Sequence, residues 1–68
     1  MNREIILEYL KNIKRILHKR FEIQGIQKYM VQYYQVNNIL SQQNCLDDEE
    51  LLERAHQFED IKPLSFDD

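Results

Sequence analysis

Apolar residues recur at helical spacing in three separate stretches of the chain. In the first, Ile6, Leu10, Ile13 and Leu17 repeat four, three, four, flanked by Ile5, Tyr9, Ile16 and Phe21. Glu4, Glu8, Lys11, Asn12, Lys14, Arg15, His18 and Lys19 fill the opposite side. This pattern predicts an amphipathic helix over about residues 3–23. Asn2 is placed to cap it with its side-chain oxygen.

In the second stretch, Ile26, Met30, Tyr33, Asn37, Leu40 and Asn44 are spaced four, three, four, three, four. That stripe predicts a helix over about 26–43. Tyr29, Val36 and Tyr34 widen it, whereas Val31 and Ile39 fall off it. Most other positions are Gln or Asn, and Lys28 is the one charge between Ile26 and Asn44. A helix facing water on one side normally displays charge there. Its absence predicts contact on more than one side, either as the central helix of a small bundle or as a helix shared with a partner. Asn37 stands where a core residue is expected, as a register-fixing polar residue does in a coiled coil, or else at a wet edge.

The phase of the first stripe breaks between Phe21 and Ile26, where the only glycine of the chain, Gly25, sits. Glycine ends helices because it accepts the left-handed conformation at little cost. The prediction is a helical hairpin with a corner at Gln24–Gly25, with a kinked continuous helix as the alternative. The third helix opens with Asp47 as cap and Glu50 three residues on, and Leu46 and Leu51 are spaced as a hydrophobic staple. Its buried face is Leu51, Ala55 and Phe58, and Pro63 sets its limit at about Ile61. The fold class is therefore all-α: a helical hairpin plus a shorter third helix at about 48–61. This forms one domain over 1–61, followed by an acidic extended tail over 62–68.

Chain length changes this picture in one respect. A 68-residue core supports roughly 3–5 kcal/mol without staples. Cys45 is the only cysteine, so no internal disulfide forms. Oligomerisation or a partner is the expected extra support, and a homodimer with a four-helix core is one form of it. A lone thiol, with no secretory leader or membrane-spanning run, points to the cytoplasm, or the nucleus in a eukaryote. The net charge of −3 is unevenly placed. Residues 1–30 hold seven Lys/Arg against three Glu, a net +4, and residues 31–68 hold two against nine Asp/Glu, a net −7.

Candidate chemistry is sparse. Glu53 and His56 have the spacing of a carboxylate–imidazole metal pair, but they point away from Leu51 and Phe58, where bundle metal sites lie. Cys45 and His56 lack a third group that would make them nucleophile and base. No catalytic, cofactor or metal residue and no small-molecule substrate is expected. Lys11, Lys14, Arg15, His18 and Lys19 form a basic face suited to nucleic acid or an acidic protein surface, the chain's own third helix included. Tyr29, Tyr33, Tyr34 and Ile39 are the expected protein-contact surface, with Leu64 and Phe66 of the tail as a second anchor.

The run Asn2-Arg3-Glu4-Ile5-Ile6 through Lys19-Arg20-Phe21-Glu22-Ile23-Gln24-Gly25-Ile26 resembles the leader helix of minimal nucleotidyltransferases. Those proteins continue into a strand, a Gly-Ser turn and paired metal-binding aspartates. This chain continues Gln27-Lys28-Tyr29-Met30, so the resemblance implies no activity here. The expected function is a non-catalytic protein-binding, regulatory or scaffolding module acting through helix–helix contacts. The alternative is an antitoxin-like regulator that touches nucleic acid through helix one and a protein through its acidic C-terminal third.

Overall fold

Residues 2–64 are described by the structure, a computed structural model. They form α1 (Arg3–Gln24), α2 (Gln27–Ser41), a single 3₁₀ turn at Gln43–Cys45, and α3 (Asp48–His56). No strand occurs among the described residues, so the chain is all-α, and α2 stands where the nucleotidyltransferase-like leader would pass into a strand.

Each helix begins or ends for a local chemical reason. The Asn2 side chain accepts the Glu4 amide at 2.9 Å and caps α1. At the other end, Gly25 adopts φ 65°, and its amide bonds the Phe21 carbonyl at 2.7 Å. The predicted corner is therefore formed, and the kinked continuous helix is not. Asp47 caps α3 by accepting the Glu50 amide at 2.9 Å, and Leu46 and Leu51 are both buried beside it as a staple. α2 starts at Gln27, and Ile26 at its N-cap position supplies no side-chain hydrogen bond.

α1 is the shared element. Its line of Ile6, Leu10, Ile13 and Leu17 is fully excluded from water, with Tyr9 nearly so. α2 packs along it through Val36 and Ile39, and α3 and the turn behind it through Leu51, Ala55 and Phe58. At 1.5 Å per residue α1 is about 33 Å long, and the molecule measures 35 × 27 × 14 Å. Three helices share one core with no further layer outside them among the described residues, so each helix keeps an outward face.

Two features differ from the sequence pattern. The buried line of α2 runs through Tyr29, Gln32, Val36 and Ile39, with Tyr33 and Leu40 half-buried beside it. It is rotated by roughly one residue step, about 100°, from the predicted stripe. Asn37 is exposed rather than buried, Ile26 is 45% exposed, and Ile39, expected off the stripe, is 5% exposed. α3 also ends at His56 rather than near Ile61. Beyond it the amides of Gln57, Phe58 and Glu59 bond carbonyls three residues back, a tighter winding than α-helix. That turn delivers Phe58 to the core at 1% exposure and folds Ile61 and Leu64 against it.

Two polar ties join distant segments. The Arg3 guanidinium donates to Asp48 Oδ1 at 2.8 Å, to the Leu46 carbonyl at 2.9 Å and to the Gln43 carbonyl. It thereby pins the start of α1 to the link between α2 and α3. The Tyr9 hydroxyl donates to the Lys62 carbonyl at 2.6 Å, with the Phe58 carbonyl at 3.3 Å. It thereby ties α1 to the segment that follows α3, where the Phe58 carbonyl also accepts the Ile61 and Lys62 amides. Burial raises the Tyr9 phenol above its ordinary value of 10, and Glu59 and Asp60 add to the rise.

Two predictions follow from these contacts. A Cβ at Gly25 would meet nothing within 4 Å, so Gly25→Ala costs only left-handed backbone strain. Urea unfolding should report a loss of about 1 kcal/mol, with Gly25→Asn losing less. Because Tyr9 holds its proton in the folded state after the unfolded chain has released it, its contribution is complete below pH 10 and falls as pH rises above 10. Tyr9→Phe should flatten that alkaline loss in urea titrations at pH 9 to 11, from a lower starting stability.

Candidate functional site

The corner of the hairpin brings together side chains that are far apart in the chain. Lys11, Lys14, Arg15 and His18 recur at i, i+3, i+4 and i+7, so they share one face of α1, and Lys19 lies further round. The rotation of α2 carries Tyr33 to the edge of that face. The Lys14 Nζ lies 5.7 Å from the Tyr33 ring centre, and the His18 ring lies 5.6 Å away at 46°. Tyr34 meets Tyr33 edge-on, 5.8 Å away at 71°. These are cation–π and edge-to-face geometries, each stabilising by roughly 0.5–1 kcal/mol at such partly exposed positions.

His18, Phe21, Met30, Tyr33 and Tyr34 line a groove of about 240 Å³. Tyr34 is 61% exposed at its rim, whereas Tyr33 is half-buried against the core. Ile26 and Val31 of α2 are also exposed, as is Ile23 beside the corner. The outward positions Gln27, Gln35, Asn37 and Asn38 are exposed and uncharged. The predicted α2 stripe thus did not form the centre of the core. Its outer half forms the wall of this groove.

The remaining expected site residues are distributed as follows. Tyr29 is half-buried, and the Arg20 guanidinium lies over it at 5.8 Å. Ile39 belongs to the chain's own core. Leu64 is folded against that core too, and Phe66 lies outside the described residues. Phe21, a flank of the α1 stripe, and Met30, on the predicted α2 stripe, line the groove, a role the sequence pattern does not assign them. Their half-apolar flanks, one step from each buried line, carried the signal. Arg3 as a clamp had no local signal, because its acceptors lie 40 or more residues away.

Ion pairs are few. Among the described residues they join Arg3 to Asp48, His18 to Glu22 (3.4 Å) and His56 to Glu59. None uses Lys11, Lys14, Arg15 or Lys19. The acidic start of α3 sits by Arg3, whereas Lys14 lies eleven residues further along α1, about 16 Å by helical rise. The chain's own acidic helix therefore does not neutralise its basic face.

Elsewhere, a wider hollow of about 550 Å³ is lined by Glu4, Ile5, Glu8, Tyr9 and Lys62 among others. Cys45 is exposed in the 3₁₀ turn, and the His56 ring is engaged by Glu59 on an exposed face. No group of three or more His, Cys, Asp or Glu side chains among the described residues is placed to hold a metal ion. No described helix is long and apolar enough to cross a membrane.

No protein-family model, curated protein or solved structure matches the chain.

The two tyrosines at the groove should separate in mutagenesis. Tyr34→Ala should change stability by no more than about 0.5 kcal/mol, as surface substitutions do. Tyr33→Ala should cost about 1–3 kcal/mol, because it removes core packing and its ring contacts. Paired urea titrations check this, and Tyr34→Ala then serves as a folded variant with an altered groove.

Proposed function

We propose that the chain is a small non-catalytic binding module whose contact surface is the groove at the hairpin corner. One observation carries this reading: half-buried Tyr33 stands beside Lys14 and His18 with exposed Tyr34 edge-on to it, and Lys11, Lys14, Arg15 and Lys19 enter no ion pair among the described residues. Aromatic anchors ringed by charge are the usual composition of protein contact surfaces, where the rings supply affinity and the charge supplies orientation. The uncharged amides along outer α2 support the same reading, since burying them requires no charge to be stripped of water. Among the expected contact residues, Tyr33 and Tyr34 keep that role, and the core position of Ile39 removes it from the surface. Regulation or scaffolding by helix–helix contact is the form of action proposed. The cytoplasm is the proposed location, for which the exposed thiol of Cys45 is the support.

A second reading draws on the same adjacency. Tyrosines beside cations also suit nucleic acid, which stacks bases on rings and sets phosphates on Lys and Arg. The antitoxin-like alternative would use Lys11, Lys14, Arg15, His18 and Lys19 in this way.

A photo-reactive benzoyl-phenylalanine placed at Tyr34, and separately at Glu53 on exposed α3, tests the proposed surface in the cells that make the protein. A discrete protein adduct is expected from position 34 and none from position 53. No adduct from 34, or equal labelling from both, would overturn the assignment, and an adduct to nucleic acid would select the second reading.

A further inference from the structure

The groove can be given a partner chemistry, on the assumption that it is the contact surface proposed above. We infer that its occupant is an acidic amphipathic segment of another protein. One apolar side chain seats between Phe21, Met30 and Tyr34, and carboxylates lie along Lys11, Lys14 and Arg15.

Size is the first argument. At about 240 Å³ the groove falls below the roughly 300–1,000 Å³ of small-molecule sites. It has room for a side chain rather than a cofactor. Its lining of Phe21, Met30, Tyr33 and Tyr34 suits an apolar group, with His18 as its one ionisable nitrogen side chain.

Charge is the second argument. Lys14 stands at the groove against Tyr33, and Arg15 and Lys11 continue its face of α1 away from the groove, none of the three in an ion pair among the described residues. The surface is thus complementary to a short acidic stretch. A long polyanion fits less well, because residues 31–68 carry a net −7, from two Lys/Arg against nine Asp/Glu. A nucleic acid running beyond the basic edge meets that field, and its affinity depends on how many phosphates find cations. A peptide of a few turns ends before it does.

Symmetry is the third argument. The exposed apolar residues of the corner, Ile23, Ile26, Val31 and Tyr34, lie in or beside the cationic half of the molecule. In a two-fold pair with the groove on the axis, the same patch faces itself. Groove against groove would set Lys14 and Arg15 of both copies together, and like charges across an interface oppose binding. The groove is therefore not the seam of a two-fold pair in which it meets itself.

The test is an amide-resonance titration of the ¹⁵N-labelled full chain. Four probes are used: a helix-forming peptide of Glu with Leu at i, i+4 and i+7, the same peptide with Lys for Glu, the same with Ala for Leu, and single-stranded oligo(dT). The first peptide should shift Lys14, His18, Met30, Tyr33 and Tyr34. The Lys and Ala versions should each bind at least about tenfold more weakly. Tyr34→Ala and the double variant Lys14→Glu/Arg15→Glu should each weaken the first peptide by about tenfold or more, with well-dispersed spectra certifying the fold.

Equal binding by the Lys peptide overturns the inference, and so do shifts confined to another surface. Oligo(dT) moving the same resonances at lower concentration than the acidic peptide assigns the groove to nucleic acid. Movement of these resonances with protein concentration alone assigns it to a second copy. Silence with all four probes rejects the partner class, while the adduct from position 34 still reports separately on whether the groove is a contact surface.

Discussion

Coverage of α1 from two sides is the constraint on which the structure depends. Ile6, Leu10, Ile13 and Leu17 are each fully removed from water, and both α2 and α3 pack against α1 in the core that holds them. α2 takes the hairpin side, and α3 with its following turn takes the other. Full burial of such side chains is worth roughly 1.5–3 kcal/mol each, so the apolar contacts dominate. The Arg3 and Tyr9 bonds, at about 1 kcal/mol apiece, mainly set where the ends of the elements come to rest. Their acceptors are backbone carbonyls as well as Asp48, which makes them ties between segments rather than isolated surface ion pairs.

The groove is a consequence of that coverage. α2 has more apolar and aromatic surface than one face of α1 can bury. Its orientation is decided by which residues fit against Leu10, Ile13 and Leu17, and Val36 and Ile39 fit there. Met30, Tyr33 and Tyr34 are carried to the shoulder, where they meet Lys14 and His18 at the edge of the α1 stripe. With three helices around one core, the described residues include no further element to cover that shoulder.

The same arrangement separates the charges. Arg3 brings the acidic start of α3 to the beginning of α1, and the cations from Lys11 onward are left facing outward. The molecule is thus polar along α1, with its aromatic groove in the cationic half. For a chain of this size, completing its surface with a partner is a physically sensible route to both stability and specificity.

The amino-acid sequence by itself determined the elements and their joints. Helix periodicity, Asn2 and Asp47 as caps, the Leu46–Leu51 staple and the left-handed Gly25 are local, and each formed as the pattern requires. The α1 face was legible because its apolar and charged sides are sharply opposed. On α2 the pattern was ambiguous. Tyr, Gln and Asn occupy both flanks, so several neighbouring stripes have similar apolar content, and only contact with α1 selects among them. The early end of α3 and the clamp of Arg3 also came from tertiary contact, because the acceptors and the core position they serve are supplied by residues 40 or more positions away. The adjacency of Lys14 and His18 with Tyr33 and Tyr34 belongs to the same class: it joins two helices across a corner, and no periodicity within either helix encodes it.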